Sequence, residues 1–255
     1  MTLSRRALMK SGLAAGAPAV GQPQAKLPNF LFLISDDHSK PDLGCYGNAV
    51  IRTPHLDRLA GEGMRFEKCF VSSPQCSPNR SSIFTGCTPH TTATSRLHTP
   101  MPPWETTFVE LLRQKGYFAG AFRKIHQGKE FDKRWDFHAP KGVPFERFFD
   151  ALSRGRPFFL QFGSTDPHRR YTPGAFSPPH DPARVRVPDF LPDTPEVRED
   201  LAHYHDFIAL IDFDDELPVN RKHRLVVAIG FHSDFRPFRQ DERPVHAQMC
   251  SNWDD

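Results

Sequence analysis

Nothing in these 255 residues is apolar for long enough to cross a bilayer. No uninterrupted hydrophobic run approaches the ~18 residues a membrane helix needs, so no membrane span is expected. Cysteine is scarce as well. Cys45, Cys69, Cys76, Cys87 and Cys250 form no C-x-x-C zinc pattern and no disulfide framework, and their odd number leaves at least one thiol free for chemistry. Charge of one sign is missing too. The net charge is +3 with basic residues scattered along the chain, which gives no dense stripe for nucleic acid, and no nucleic-acid partner is expected. No internal repeat is visible.

What is present describes a folded chain. Hydrophobic residues make up 38% and charged ones 25%, with 23 Phe, enough to bury a substantial core in one or two domains. The 25 Pro gather in connecting segments such as Pro173 to Pro195, as in long, rigid surface loops. At the N-terminus, Ser4-Arg5-Arg6-Ala7-Leu8-Met9-Lys10 precedes a mildly apolar Gly/Ala-rich run. Residues 1–25 are therefore expected to be a twin-arginine signal peptide that directs export to the periplasm and is then removed.

From Lys26 onward strands and helices alternate. Asn29 to Ser35, Pro157 to Gly163 and Leu225 to Phe231 are continuous apolar runs of strand length, the kind buried on both faces of a sheet. Met64 to Val71 and Tyr117 to Phe122 also read as strands. Thr53-Pro54 opens a helix with Thr as N-cap, Thr107 to Lys115 reads as a second, and Thr194 to about Phe213 as a third. Such alternation predicts an α/β fold: a mostly parallel central sheet flanked by helices.

In open α/β sheets, ligands bind beyond the carboxyl ends of the strands. Asp36-Asp37-His38 stands at that place after the first strand. Adjacent carboxylates suit a hard cation such as Ca²⁺ or Mg²⁺, although a solvated turn capping a helix fits the spacing equally well. Cys76 precedes a helix predicted to start near Pro78, where unpaired N–H groups and the helix dipole favour an anion. Arg80, one turn on, is placed to point back at it. An isolated cysteine is usually structural; here the surrounding string carries the argument.

That string, C-S-P-N-R-S-S-I-F-T-G from Cys76, resembles the sulfatase signature C-x-P-x-R with its hydrophobic-Thr-Gly tail. Asp36-Asp37, D-L-G-C-Y-G at Asp42 to Gly47 and T-P-H-L-D-R-L-A at Thr53 to Ala60 look like sulfatase N-terminal sequence. G-Y-F-A-G-A-F-R-K-I-H at Gly116 to His126 resembles the family's Lys/His segment, and T-D-P-H-R-R-Y at Thr165 to Tyr171 its substrate-side histidine loop. His180 to Asp212 looks closest to the heparan N-sulfatase branch, near the iduronate sulfatase-like bacterial enzymes. The resemblance covers roughly Pro28 to Asp234.

The resemblance implies an alkaline-phosphatase-like sulfatase N-terminal domain and a formylglycine made from Cys76 by a formylglycine-generating or sulfatase-maturating enzyme. It implies Ca²⁺, with Mg²⁺ as the alternative, held by Asp36, Asp37, residue 76 and Asp234. Arg80 and Lys124 would hold sulfuryl oxygens, and His126 and His168 would handle protons near the leaving group. The substrate class would be a sulfated small molecule or glycan. Two alternatives stand beside this reading: an inactive remnant of such an enzyme, and a phosphoryl-transfer relative on the same scaffold. The second is disfavoured because such relatives use Ser or Thr where Cys76 stands.

The chain departs from the pattern near its end. Ser233-Asp234 falls where an S/T-D-N/H-G metal turn belongs, but Phe235 follows, and neither Arg236 nor Arg239 clearly supplies the late sulfate-binding base. Residues 26–234 are thus expected to form a partial catalytic domain lacking the C-terminal subdomain, and 235–255 an aberrant tail. If the arginines use CGN codons, Phe238 to Glu242 read one nucleotide later permits F-[AG]-K-T-N, the string expected after that turn, which suggests a frameshift.

Overall fold

A computed structural model describes residues 27–213 and, as backbone, the strand 225–230. The segment 1–25 expected to be a leader, Asp234 and the residues 235–255 lie outside the described residues.

The core of the molecule is a five-stranded parallel sheet. Its strands are β1 (Asn29–Ile34), β2 (Phe118–Arg123), β3 (Phe137–Ala139), β4 (Phe158–Gly163) and β5 (Leu225–Gly230), in the spatial order β3-β2-β4-β1-β5. β1 lies between β4 and β5, with Leu33 opposite Phe162 and Ile229. β2 pairs with the other edge of β4, placing Arg123 opposite Gly163. Both faces of β1, β2 and β4 are covered, which is why these strands are mostly apolar rather than apolar at alternate positions.

Alternation then sends successive residues to different cores. On one face Phe32, Ile34, Ala119, Ala121 and Phe159 pack with Phe84, Val109, Phe131 and Trp135. On the other, Leu31, Leu33, Phe118, Phe122, Leu160 and Phe162 pack with Phe145 and Phe148. Gly120 is small for a reason: a Cβ there would sit 2.3 Å from the Phe148 ring, which lies directly on the strand.

Among the described residues six α-helices connect the strands: α1 (Pro54–Glu62), α2 (Cys76–Thr85), α3 (Phe108–Gln114), α4 (Lys129–Asp132), α5 (Glu146–Ala151) and α6 (Pro195–Asp212). Each long helix begins where its sequence allows. At α3 a Thr107–Glu110 capping box satisfies the first amides. At α6, Thr194 Oγ1 accepts from Val197 N–H and Pro195 takes the first helical position.

Three expectations need correction. Met64 to Val71 is not a strand. It is irregular, with Met64, Phe66 and Phe70 exposed, because a strand needs a ladder partner and no described strand runs beside it. No strand precedes Cys76, and α2 starts at Cys76 itself, since Pro78 falls in the first turn, where its missing N–H costs nothing. Thr53 occupies the N-cap of α1 but does not cap it. Its Oγ1 accepts from Gly44 N–H, and the carboxylate of Asp212, at the end of α6, takes the amides of His55 and Leu56 at 3.1 and 2.7 Å.

Candidate active site

The carboxyl ends of β1, β2 and β4 are laced together just past their last ladder bonds. Ser164 N–H donates to the Ile34 carbonyl at 2.8 Å, Asp36 N–H to that of Asp166 at 3.1 Å, and Lys124 N–H to that of Gly163 at 2.9 Å. Gly163 is required here, because a Cβ would stand 2.0 Å from the Lys124 carbonyl oxygen. These bonds set Asp36 and Lys124 side by side on one rim.

Asp36 is fully buried, and its surroundings account for a charge at that depth. Lys124 Nζ forms an ion pair with Oδ2, and Arg80 Nη2 lies 3.5 Å from Oδ1. Cys76 Sγ, on the first turn of α2, is 3.9 Å from Oδ2. Arg80 is itself 1% exposed and donates Nη1–H to the Lys124 carbonyl at 2.9 Å, while its buried Nε finds no hydrogen-bond partner among the described residues. Arg80 therefore stands one helical turn behind the thiol and knits α2 to both strand ends. Burial lowers its pKa and the neighbouring Asp36 opposes that shift.

The Cys76 thiol is pushed up, first by burial and then by Asp36, with Lys124 and Arg80 acting the other way. Burial and Asp36 thus disfavour the thiolate at residue 76 despite the two cations nearby.

Asp37 takes left-handed backbone at φ 52° and turns its carboxylate outward, where Oδ2 lies 3.6 Å from His168 Nε2. The hydroxyl of Tyr204 on α6 donates to the Asp37 carbonyl at 3.0 Å and accepts from Ser39 N–H at 3.2 Å, bracing this turn. Ligand atoms of Asp36, Cys76 and His168 come within 4.8 Å of one another, a cluster able to hold a metal ion. Its carboxylate, with the outward Asp37 beside it, is oxygen chemistry suited to Ca²⁺ or Mg²⁺. A carboxylate this buried also demands a positive partner, which Lys124 and Arg80 supply in this structure. The residues fit a divalent cation in kind, with Asp234 outside the described set.

The structure thus brings Asp36, Cys76, Arg80 and Lys124 together, sets Asp37 and His168 at the open side, and places His126 beside them. Burial, with Lys124, His98 and Arg80, lowers His126 to about 4. His98 was not foreseen. It lies 2.8 Å from His126, but in Arg-Leu-His-Thr-Pro it carries no motif and sits 28 residues away. Only the fold makes them neighbours.

Comparison with known proteins supplies the context. Residues 28–152 match the family model described as Sulfatase. The chain is 32% identical over 222 residues to N-acetylgalactosamine-6-sulfatase of Canis lupus familiaris, an alignment covering 82% of this chain and 35% of that protein. It is 29% identical over 238 residues to N-sulphoglucosamine sulphohydrolase of Homo sapiens, covering 76% and 46%. Among solved structures, a 2-O GAG sulfatase superposes with a TM-score of 0.60 at 20% identity, covering 80% of this chain and 57% of that one. The chain therefore spans between about a third and a half of the length of these two curated relatives.

Proposed function

The chain belongs to the sulfatase family, and from that premise we propose that it hydrolyses sulfate esters or N-sulfate groups of a sulfated carbohydrate, with residue 76 as the reacting centre. The observation that carries this reading is the position of Cys76 Sγ, 3.9 Å from the buried Asp36 carboxylate and at the start of a helix. A thiol whose ionisation is opposed by burial and by an adjacent carboxylate makes a poor nucleophile as it stands. Its conversion to formylglycine resolves the difficulty: the hydrated aldehyde supplies one hydroxyl to attack sulfur and a second to release sulfate.

The rest of the site is assigned by charge and reach. Asp36 and Asp37 would hold a divalent cation, Ca²⁺ before Mg²⁺, whose chemistry is to acidify the attacking hydroxyl and neutralise sulfate oxygens. Lys124, partly exposed beside Asp36, is placed to bind a sulfuryl oxygen, and Arg80 fixes the distance between α2 and the strand ends. His168, exposed next to Asp37, faces the substrate side, and His126 stands on the other flank as a proton carrier. The similarity to N-sulphoglucosamine sulphohydrolase and N-acetylgalactosamine-6-sulfatase supports an amino-sugar sulfate as substrate class. The arginine pair of the leader supports export to the periplasm, and modification by a maturating enzyme would come first.

Mass analysis of the peptide spanning Cys76, from protein made in a host with a maturating enzyme, tests the proposal. An aldehyde at residue 76 together with calcium-dependent release of sulfate is the expected result. An unmodified thiol in that host defeats the proposal.

A further inference from the structure

β4 carries one residue that the packing of the sheet does not explain. Gln161 is fully buried in the run Phe-Phe-Leu-Gln-Phe-Gly, and its register partners Phe32 and Ala121 both belong to the apolar core on that face. A buried amide is costly unless both of its ends are bonded. Here Nε2 donates to the Lys124 carbonyl at 3.2 Å, while Oε1 has no hydrogen-bond partner among the described residues. Methionine or leucine would fill the same place and leave no acceptor unpaired. The reason for glutamine therefore lies in the atom it holds.

That atom joins three elements at the strand rim. The Lys124 carbonyl also accepts Arg80 Nη1–H at 2.9 Å, and Lys124 N–H donates to the Gly163 carbonyl at 2.9 Å. One residue is thus tied to α2 through Arg80 and to β4 through Gln161 and Gly163. A firm hold is needed there. Arg123 and His126, on either side of Lys124, take left-handed backbone at φ 61° and 65°, a costly conformation that persists only where neighbours over-determine it. At the other end of Lys124, Nζ pairs with Asp36 Oδ2, the same oxygen that lies 3.9 Å from Cys76 Sγ.

We propose that Gln161 is a positioning residue of the active site. By holding the Lys124 carbonyl jointly with Arg80, it sets Lys124 Nζ for a sulfuryl oxygen, and it serves the grip on the sulfuryl group rather than stability. This rests on the sulfatase reading and deepens it. The two ends of the amide divide the effects: the bonded end fixes the backbone that carries Lys124, and the unbonded end adds nothing to the fold.

Gln161→Met tests the assignment, because methionine keeps the length of glutamine and fills irregular core space while removing both polar atoms. On the full chain with Ca²⁺ present, the thermal unfolding midpoint is expected to stay within about 4 °C of the parent's or to rise. Inorganic sulfate is the probe. It should raise the midpoint of the parent more than that of Lys124→Ala, whose response measures the general effect of the salt. Gln161→Met should need about five- to tenfold more sulfate for the same specific rise, the span of one neutral hydrogen bond. In matured protein the inhibition constant for sulfate should increase by that factor, and kcat/KM on a sugar sulfate should fall by it. A midpoint lowered by more than about 4 °C, a failure to fold included, makes Gln161 a structural residue and overturns the proposal. Sulfate binding equal to the parent's overturns it too. A parent that responds to sulfate no more than Lys124→Ala indicts the sulfatase reading itself, and the proposal falls with it.

Discussion

Two carboxylates are equally deep in this molecule and are held in opposite ways. Asp36, on the strand rim, has a fully buried side chain and faces two cations, Lys124 and Arg80. Asp212, at the end of α6, is just as buried, yet its partners are the backbone amides of His55 and Leu56 and the imidazole of His55. Helix amides have no other task, so Asp212 reads as a structural clamp joining α6 to α1. Lysine and arginine side chains are costly to bury, and holding two of them against one acid beside a thiol makes sense when they also meet a substrate. Burial alone does not mark a functional acid; the kind of partner does.

The comparison can be broken at its first member by Asp36→Asn. In matured enzyme this should reduce turnover on the order of 1,000-fold or more, because the charge that organises the rim is gone. Sulfate release measured on folded, aldehyde-bearing protein checks it, and a loss under tenfold would place Asp36 with Asp212 as structural. At the second member, Asp212→Ala should cost about 2–3 kcal/mol of stability by stripping charge-assisted bonds from the start of α1. Turnover per folded molecule should be kept. Denaturant titration beside the activity assay separates these effects.

Acid sharpens the contrast on the histidine side. His38 and His126 are both held down to about 4, chiefly by burial, against 6.5 in the unfolded chain. Between those values the unfolded state binds more protons, so stability is complete above about pH 6.5 and is lost as pH falls towards about 4. Denaturant midpoints that do not move across that window would contradict the burial of these rings. The smallest effect is expected from Tyr204→Phe, which removes the hydroxyl bridging Asp37 and Ser39. It should cost about 1 kcal/mol, or roughly fivefold in calcium affinity if the whole loss is felt at Asp37, read by calorimetric titration.

Legibility in sequence differed by region for physical reasons. β1, β2 and β4 were readable because a strand buried on both faces is mostly apolar, β5 because Leu225 to Gly230 is one continuous apolar run, and α3 and α6 because their caps are local. The short β3, α4 and α5 carry too few residues for any period to show. Met64 to Val71 has strand-like composition, but pairing is a property of the partner, and none is described. In the site, Cys76, Asp36 and Lys124 were found through contiguous strings, whereas Tyr204 and His98 belong to no such string.

By itself, the order of residues determined β1, β2, β4 and β5 as strands, that Asp36 would follow the first of them, and that a helix would start close to Cys76. Those are consequences of local sterics and of burying apolar runs, which act between near neighbours in the chain. Only the tertiary structure decided that Arg80 reaches the Lys124 carbonyl, that Asp212 caps α1 from 157 residues away, and that His98 meets His126. Hydrogen bonds and ion pairs act over a few ångströms, and nothing short of the folded sheet brings such distant residues that close.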